Sequence, residues 1–317
     1  MSGTELRRRT LFPVSIVRLW GTVIRWDWPT LALFIGCAAL WGKMLMLPTQ
    51  WGVVSFLGLV VALTLHSSLS HEMLHGHPFR SDRAATLLGL IQPGLFVPYL
   101  RFRTTHLAHH DDPKLTDPYE DPETNYIDPA VWARLPNWLC SLMSFNNTLL
   151  GRMVVGPALG MVGFWAADAK RMRQGDGRVA REWALHLPGA VLVLWLVSLS
   201  NMPLWLYVLA CYGALSVLKI RTFLEHQAHE RAVARTVIIE DRGPLALLFL
   251  NNNLHVVHHM HPGVSWYRLP ALYRAHKARY LRRNKGYFYP SYAEVFRQFL
   301  WRRKDPVAHP LWRPKPE

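Results

Sequence analysis

The chain has 317 residues, room for one large domain or two small ones, and a formal net charge of +15. Half of its residues are hydrophobic and only 18% are charged, below the roughly 25% of ordinary soluble domains. Its three cysteines, Cys37, Cys140 and Cys211, show neither metal-type pairing nor a disulfide pattern and read as small buried hydrophobes.

In chain order, Trp28 to Leu47 is apolar except for Lys43, which can snorkel from near a helix end. Trp51 to Ser70 runs without a charge for about the length that crosses a bilayer, and Pro48-Thr49-Gln50 joins the two as a hairpin. Thr86 to Leu100 is short and broken by Pro93-Gly94 and Pro98, the pattern of a re-entrant or interfacial segment. Trp138 to Ala166 is long enough to span but is interrupted by Asn146, Asn147, Arg152 and Pro157, so one or two interfacial helices are expected there. Trp183 to Ser200 and Met202 to Leu218 form a second apolar pair around Asn201-Met202-Pro203, with Pro188 expected to kink the third span. No cleavable signal peptide is expected, because the apolar stretches begin late and are too long.

Four crossings as two hairpins put both termini and the long middle segment on one side. Of the 36 Lys and Arg, 35 fall on that side and the two short turns hold none. Such an excess marks cytoplasmic loops, which places that face in the cytoplasm. With no nucleic-acid recognition motif in the chain, attraction to anionic lipid heads accounts for the charge.

Three histidine clusters lie beside these apolar stretches: His71 and His75; His106, His109 and His110; His255, His258 and His259, out of 16 histidines. Neutral imidazole is the commonest biological metal ligand, and residues three and four apart share one helix face. Each HxxHH helix is therefore able to stand between two metals and feed both. A structural metal needs only about four ligands, so this many imidazoles imply two metals. His226, directly after the fourth span, is favoured over His229 to complete the set. All-nitrogen sets take Zn, Cu, Fe or Ni, but zinc does no redox chemistry. A nitrogen-rich pair of irons beside a membrane suits O2-dependent oxidation of an unactivated C–H bond.

These residues resemble the three histidine boxes of the membrane fatty acid desaturase superfamily. His71-Glu72-Met73-Leu74-His75 matches the HxxxH box, extended to His77-Pro78, and the other two clusters match HxxHH. The resemblance covers about residues 30–265 of a single membrane domain, 1–317, and leaves 266–317 as a basic cytoplasmic tail. It implies an all-α polytopic fold, four transmembrane helices plus interfacial helices and a cytoplasmic metal-binding cap. It also implies a di-iron centre held by His71, His75, His106, His109, His110, His226, His255, His258 and His259, with O2 as co-substrate. Glu72, His77, Asn252 and Asn253 are candidates for groups that support the ligands. The implied reaction is desaturation of a fatty acyl lipid, with electrons from a separate donor such as ferredoxin and its reductase, because no fused carrier domain or haem motif is visible. A bacterial inner membrane is the expected location. Trp266-Tyr267-Arg268-Leu269-Pro270 resembles the carotenoid ketolase branch, so hydroxylation or ketolation is the alternative. Trp266 and Tyr267 are candidates to line a substrate tunnel, and Arg101, Arg103, Arg221 and Arg268 to grip anionic head groups. The acidic run from Asp111 to Glu123 reads as a solvated loop or as carboxylates that orient imidazoles.

Two other classes compete. His71-Glu72-x-x-His75 is also the HExxH pattern of zinc peptidases, but two further HxxHH clusters have no task around one zinc. A metal transporter would place its ligands near the middle of the spans, whereas here they lie at or beyond span ends.

Overall fold

The computed structural model describes residues 27–79 and 81–313. The basic residues expected before the first span, Arg7 to Arg25, lie outside them. Among the described residues four helices are long and apolar enough to cross a membrane. They are α1 (Trp28–Met46), α2 (Gly52–Leu74, after a single 3-10 turn), α8 (Gly177–Ser198) and α9 (Leu204–Thr222). Outward-facing Ile35, Val53, Leu57, Val191, Trp195 and Trp205 are exposed, the surface a bilayer solvates without cost. α2 is central, packed against both α1 and α9. The two short turns meet: Asn201 donates from its backbone N–H to Leu45 O (3.1 Å) and from its side chain to Met46 O (3.0 Å). The hairpins therefore share one end, and all four helices point their other ends at the histidines. Pro188 sits inside a helix that stays continuous through it.

Between the hairpins lie α3 (Asp82–Gly89) and α4 (Tyr99–His109). The chain joining them is the segment expected to be re-entrant or interfacial, with Leu95 and Phe96 packed into the apolar core of Leu59, Val193, Val197 and Tyr207. Irregular backbone at that depth needs internal partners, and it has them. Pro93 O accepts from Tyr207 Oη (2.7 Å), Leu95 O from His186 Nε2 (2.7 Å), and Phe96 O from Trp165 Nε1 (3.1 Å). His186, incidental in sequence, thus anchors this loop. The segment passes so close to α8 that a Cβ on Gly189 would sit 2.0 Å from Leu90 O. Gly189→Ala is expected to cost about 1–3 kcal/mol by overpacking, read as a lower thermal midpoint in detergent. Gly163→Ala, where nothing lies within 4 Å, is the neutral control, and equal midpoints for the two variants would contradict the account.

The stretch expected as one or two interfacial helices is three: α5 (Asn137–Asn146), α6 (Leu149–Val154) and α7 (Gly156–Arg173). Thr148 breaks the run by capping α6 through Gly151 N (3.0 Å), and Pro157 starts α7. None of the three is among the helices apolar and long enough to span.

Beyond α9 come β1 (Ile238–Ile239), α10 (His255–Met260), α11 (Leu269–Arg283), β2 (Phe288–Tyr289) and α12 (Tyr292–Phe299). The two-residue strands pair in parallel and are the only sheet among the described residues. Residues 266–313, within the stretch expected as a basic tail, pack into the fold. Tyr273, Tyr280, Tyr292 and Val295 are buried in the cores that hold Val256, Val257 and Leu224.

Candidate metal centre

Each histidine is delivered by a specific element. His71 lies in the last turn of α2 and His75 is its C-cap. α4 carries His106 and His109, with His110 as its C-cap. α10 carries His255, His258 and His259. Its approach needs a sharp turn, made by Leu250 and Asn251 at φ 51° and 57°, and Asn251 Nδ2 ties that turn to Trp266 O (3.2 Å). His226 sits beyond α9, where its backbone forms a bridge with Thr236.

The structure gathers all nine histidines into two groups. His71, His75, His106, His110 and His258 form one; His109, His226, His255 and His259 form the other, with the ligand atoms of each group within 4.8 Å of one another. The groups interleave, since α4 and α10 each contribute to both. His106 Nε2 lies 3.0 Å from His110 Nε2, which lies 3.2 Å from His258 Nε2. His226 Nε2 lies 2.8 Å from His109 Nε2 and 3.2 Å from His255 Nε2. Metal–imidazole bonds of about 2.1 Å place two ligands at right angles about 3.0 Å apart. The buried Nε2 atoms of His71 and His75 have no hydrogen-bond partner, a costly state that a bound cation relieves. The donor set therefore fits two metal ions.

Four spans capped by two interleaved imidazole groups narrow the choice of family. The family model for fatty acid desaturases matches residues 47–291, and no individual curated protein matches the chain. The chain belongs to the fatty acid desaturase family. This desaturase-family protein is accordingly a membrane oxidoreductase with a lipid-type substrate, and its histidine groups suit the metal centre such an enzyme needs.

The imidazoles are held ready to bind. Burial, and then the neighbouring imidazoles, push His226, His255 and His258 well below the usual histidine range and His75 down to about 3, so they stay neutral with lone pairs available. His109 departs from this: burial opposes its charge, but Glu123 and Asp121 outweigh burial and lift it to about 9. The outer nitrogens are oriented by hydrogen bonds, as metal-binding imidazoles generally are. His109 Nδ1 donates to Asp121 Oδ1 (2.7 Å), His106 Nδ1 to Glu123 Oε1 (3.2 Å), and His255 Nδ1 to Asn252 Oδ1 (3.0 Å). His226 Nδ1 lies 3.4 Å from Thr236 Oγ1.

Of the four candidate supports in the sequence, Asn252 stands beside a histidine of the centre in this way. Glu72 Oε1 stays 3.8 Å from His71 Nδ1, while its Oε2 accepts from Trp266 N (3.1 Å). His77 pairs instead with Asp27 (2.8 Å) and Gly263 O (3.2 Å). The Asn253 amide is spent on Ile239 O (2.7 Å) and Asp241 O (3.2 Å), so it fixes the start of α10 and touches no imidazole. Within the acidic run Asp121 and Glu123 face the histidines, whereas Asp111 pairs with Lys114 (3.2 Å). Arg101 and Arg221, read as lipid grips, are consumed internally by Asp168 and Glu225. Arg103 pairs with Asp82 (2.9 Å), and Arg268 stacks over Tyr267. Glu225 was missed: its Oε1 lies 3.8 Å from His255 Nδ1 and 3.1 Å from Arg221 Nε. The i,i+4 spacing of Arg221 and Glu225, directly before His226, was the available signal.

Proposed function

We propose that the protein is an oxygen-dependent di-iron fatty acyl desaturase, with its metal centre on the cytoplasmic face of the membrane and electrons from a separate donor such as ferredoxin. The observation that carries this reading is the pair of interleaved, buried imidazole groups at the common end of four apolar spans. His71, His75, His106, His110 and His258 would hold one iron, and His109, His226, His255 and His259 the other. The two irons, when bound, supply the oxidising power for removing hydrogen from an unactivated carbon.

The chain's own residues supply position and dryness. Asp121, Glu123, Asn252 and Thr236 fix the ring orientations, so the inner nitrogens converge without rearrangement. Trp266, Leu65, Leu69, Leu250 and Cys37 form an apolar cluster that Trp266 N joins to Glu72 (3.1 Å), the neighbour of His71, and such a surface suits a hydrocarbon substrate. Each turnover removes two hydrogens from the chain, takes two electrons from the donor and two protons from water, and reduces O2 to two waters. The HExxH peptidase reading is disfavoured by Glu72, whose carboxylate is engaged by Trp266 N, and by three further histidines grouped with His71 and His75.

The test is metal analysis joined to lipid mass spectrometry on one purified sample, supplied with O2 and a reductant system. About two iron atoms per chain and a product lighter by two hydrogens are expected. A product that gains oxygen would move the assignment to the hydroxylase or ketolase branch. A single zinc with unchanged lipid would defeat the di-iron reading.

A further inference from the structure

We infer that the C-terminal strap, residues 300–313, helps to house the metal group of His109, His226, His255 and His259, with Lys304 as the residue that positions His226. The strap lies outside the region matched to the family, which ends at 291. It is laced across the histidine-bearing end by main-chain bonds: Leu150 N to Leu300 O (3.1 Å), Lys304 N to Asn147 O (3.0 Å), Ile127 N to Val307 O (3.0 Å) and His309 N to Ile127 O (2.8 Å).

From that position it reaches the group of His109, His226, His255 and His259 at two points. Lys304, its side chain 6% exposed, donates from Nζ to the backbone oxygen of His226 (3.0 Å). The same chain region is held again where Ala228 N donates to Tyr126 Oη (2.8 Å), with Tyr126 bonded to Asp305. Separately, His309 Nε2 meets Thr116 Oγ1 (3.1 Å), Thr116 N donates to Asp121 Oδ2 (2.9 Å), and Asp121 orients His109. The Asp121 route branches, since Asp121 Oδ1 also accepts from Glu123 N (2.9 Å) and Glu123 orients His106 of the other group, so among the described residues Lys304 is the strap contact specific to one group. His226 has no helix to hold it, unlike the other eight, which lie in helices or cap them. A lysine with three donors and one close acceptor is well suited to pin such a loop.

The inference rests on the di-metal reading above. Its test is Lys304→Met in the full chain, with iron counted per chain, and with cobalt substitution to read each group's absorption. Loss of an outer support weakens metal affinity on the order of 10–100-fold, so Lys304→Met is expected to lose one metal and to match the residual spectrum of His226→Ala. Lys304→Arg, which keeps a donor, is expected to restore most of the loss. The thermal midpoint serves as the folding check. Full metal retention in Lys304→Met, or equal loss from both groups, would overturn the inference. If the wild type itself fails to bind two metals, it is the di-metal reading that fails.

Discussion

A double substitution inside one histidine box, His106→Ala with His109→Ala, is expected to empty both metal groups, whereas His109→Ala with His255→Ala, drawn from two boxes, is expected to empty one. The reason is interleaving: His106 and His109 are neighbours in sequence but belong to different groups, and His109 and His255 are far apart in sequence but share one. Each single variant should hold about one metal per chain instead of about two: His109→Ala and His255→Ala leave three nitrogens in a four-nitrogen set, and His106→Ala removes the ring whose Nε2 lies 3.0 Å from His110 Nε2 at the centre of the other set. Activity should fall by ~10^3-fold or more in each of the three single variants, the scale seen when one member of a unit that acts together is lost. The double variants then separate the geometry from the sequence grouping, because effects within one group overlap and effects across groups add. Metal analysis of the three single and two double variants decides it; retention of one metal by the His106/His109 double would show that boxes, not the observed groups, define the sites.

The second large effect concerns Arg101. Its guanidinium, 3% exposed at the side chain, makes paired bonds to Asp168 (2.8 Å each) and a third to Glu182 (3.3 Å), whose side chains are 2% and 8% exposed. Thr104 and Trp183 complete the cluster, donating to Glu182 (3.2 Å) and Asp168 (2.9 Å). This ties α4, which carries the second box, to α7 and α8. Removing one partner of a buried pair leaves the opposing charge uncompensated, at about 3–5 kcal/mol. Arg101→Met is therefore expected to lower the midpoint of thermal or denaturant unfolding by that equivalent. Arg101→Met with Asp168→Asn should recover part of it, because one stranded charge is removed. A loss under about 1 kcal/mol in the single variant would place the pair among weak surface contacts.

Much of this architecture was legible in the residues. Apolar stretches of bilayer length, charge-free but for Lys43 in the first, located the four spans, and the turns at Pro48 and Asn201 gave the hairpins. The breaks at Pro93-Gly94 and Pro98 marked the irregular segment between α3 and α4. Helix ends were less legible: α8 begins at Gly177, ahead of the expected Trp183, because Asp176 caps it through Val179 N (3.2 Å) and charged residues continue the helix past the apolar stretch. The histidines announced themselves through spacing that one helix face satisfies. Their allocation between two groups did not, because that depends on how α4 and α10 are rotated against each other. Asn252 and Asn253 are identical in sequence terms, and only the pairing of β1 decides that one turns to His255 and the other to Ile239 O. The strap was invisible for the same reason: Lys304 is one basic residue among many until the fold sets it beside His226.

The nine histidines span positions 71 to 259, and the last three are needed by both groups. During synthesis, neither site is complete until α10 has been made and folded back onto α4, after all four spans have emerged. A nascent chain paused at the first hairpin presents only His71 and His75, too few to hold a metal firmly. Metal loading is thus a late event in biogenesis. On the di-iron reading proposed above, the oxygen-reactive centre would form only after the surrounding apolar walls exist to contain its chemistry.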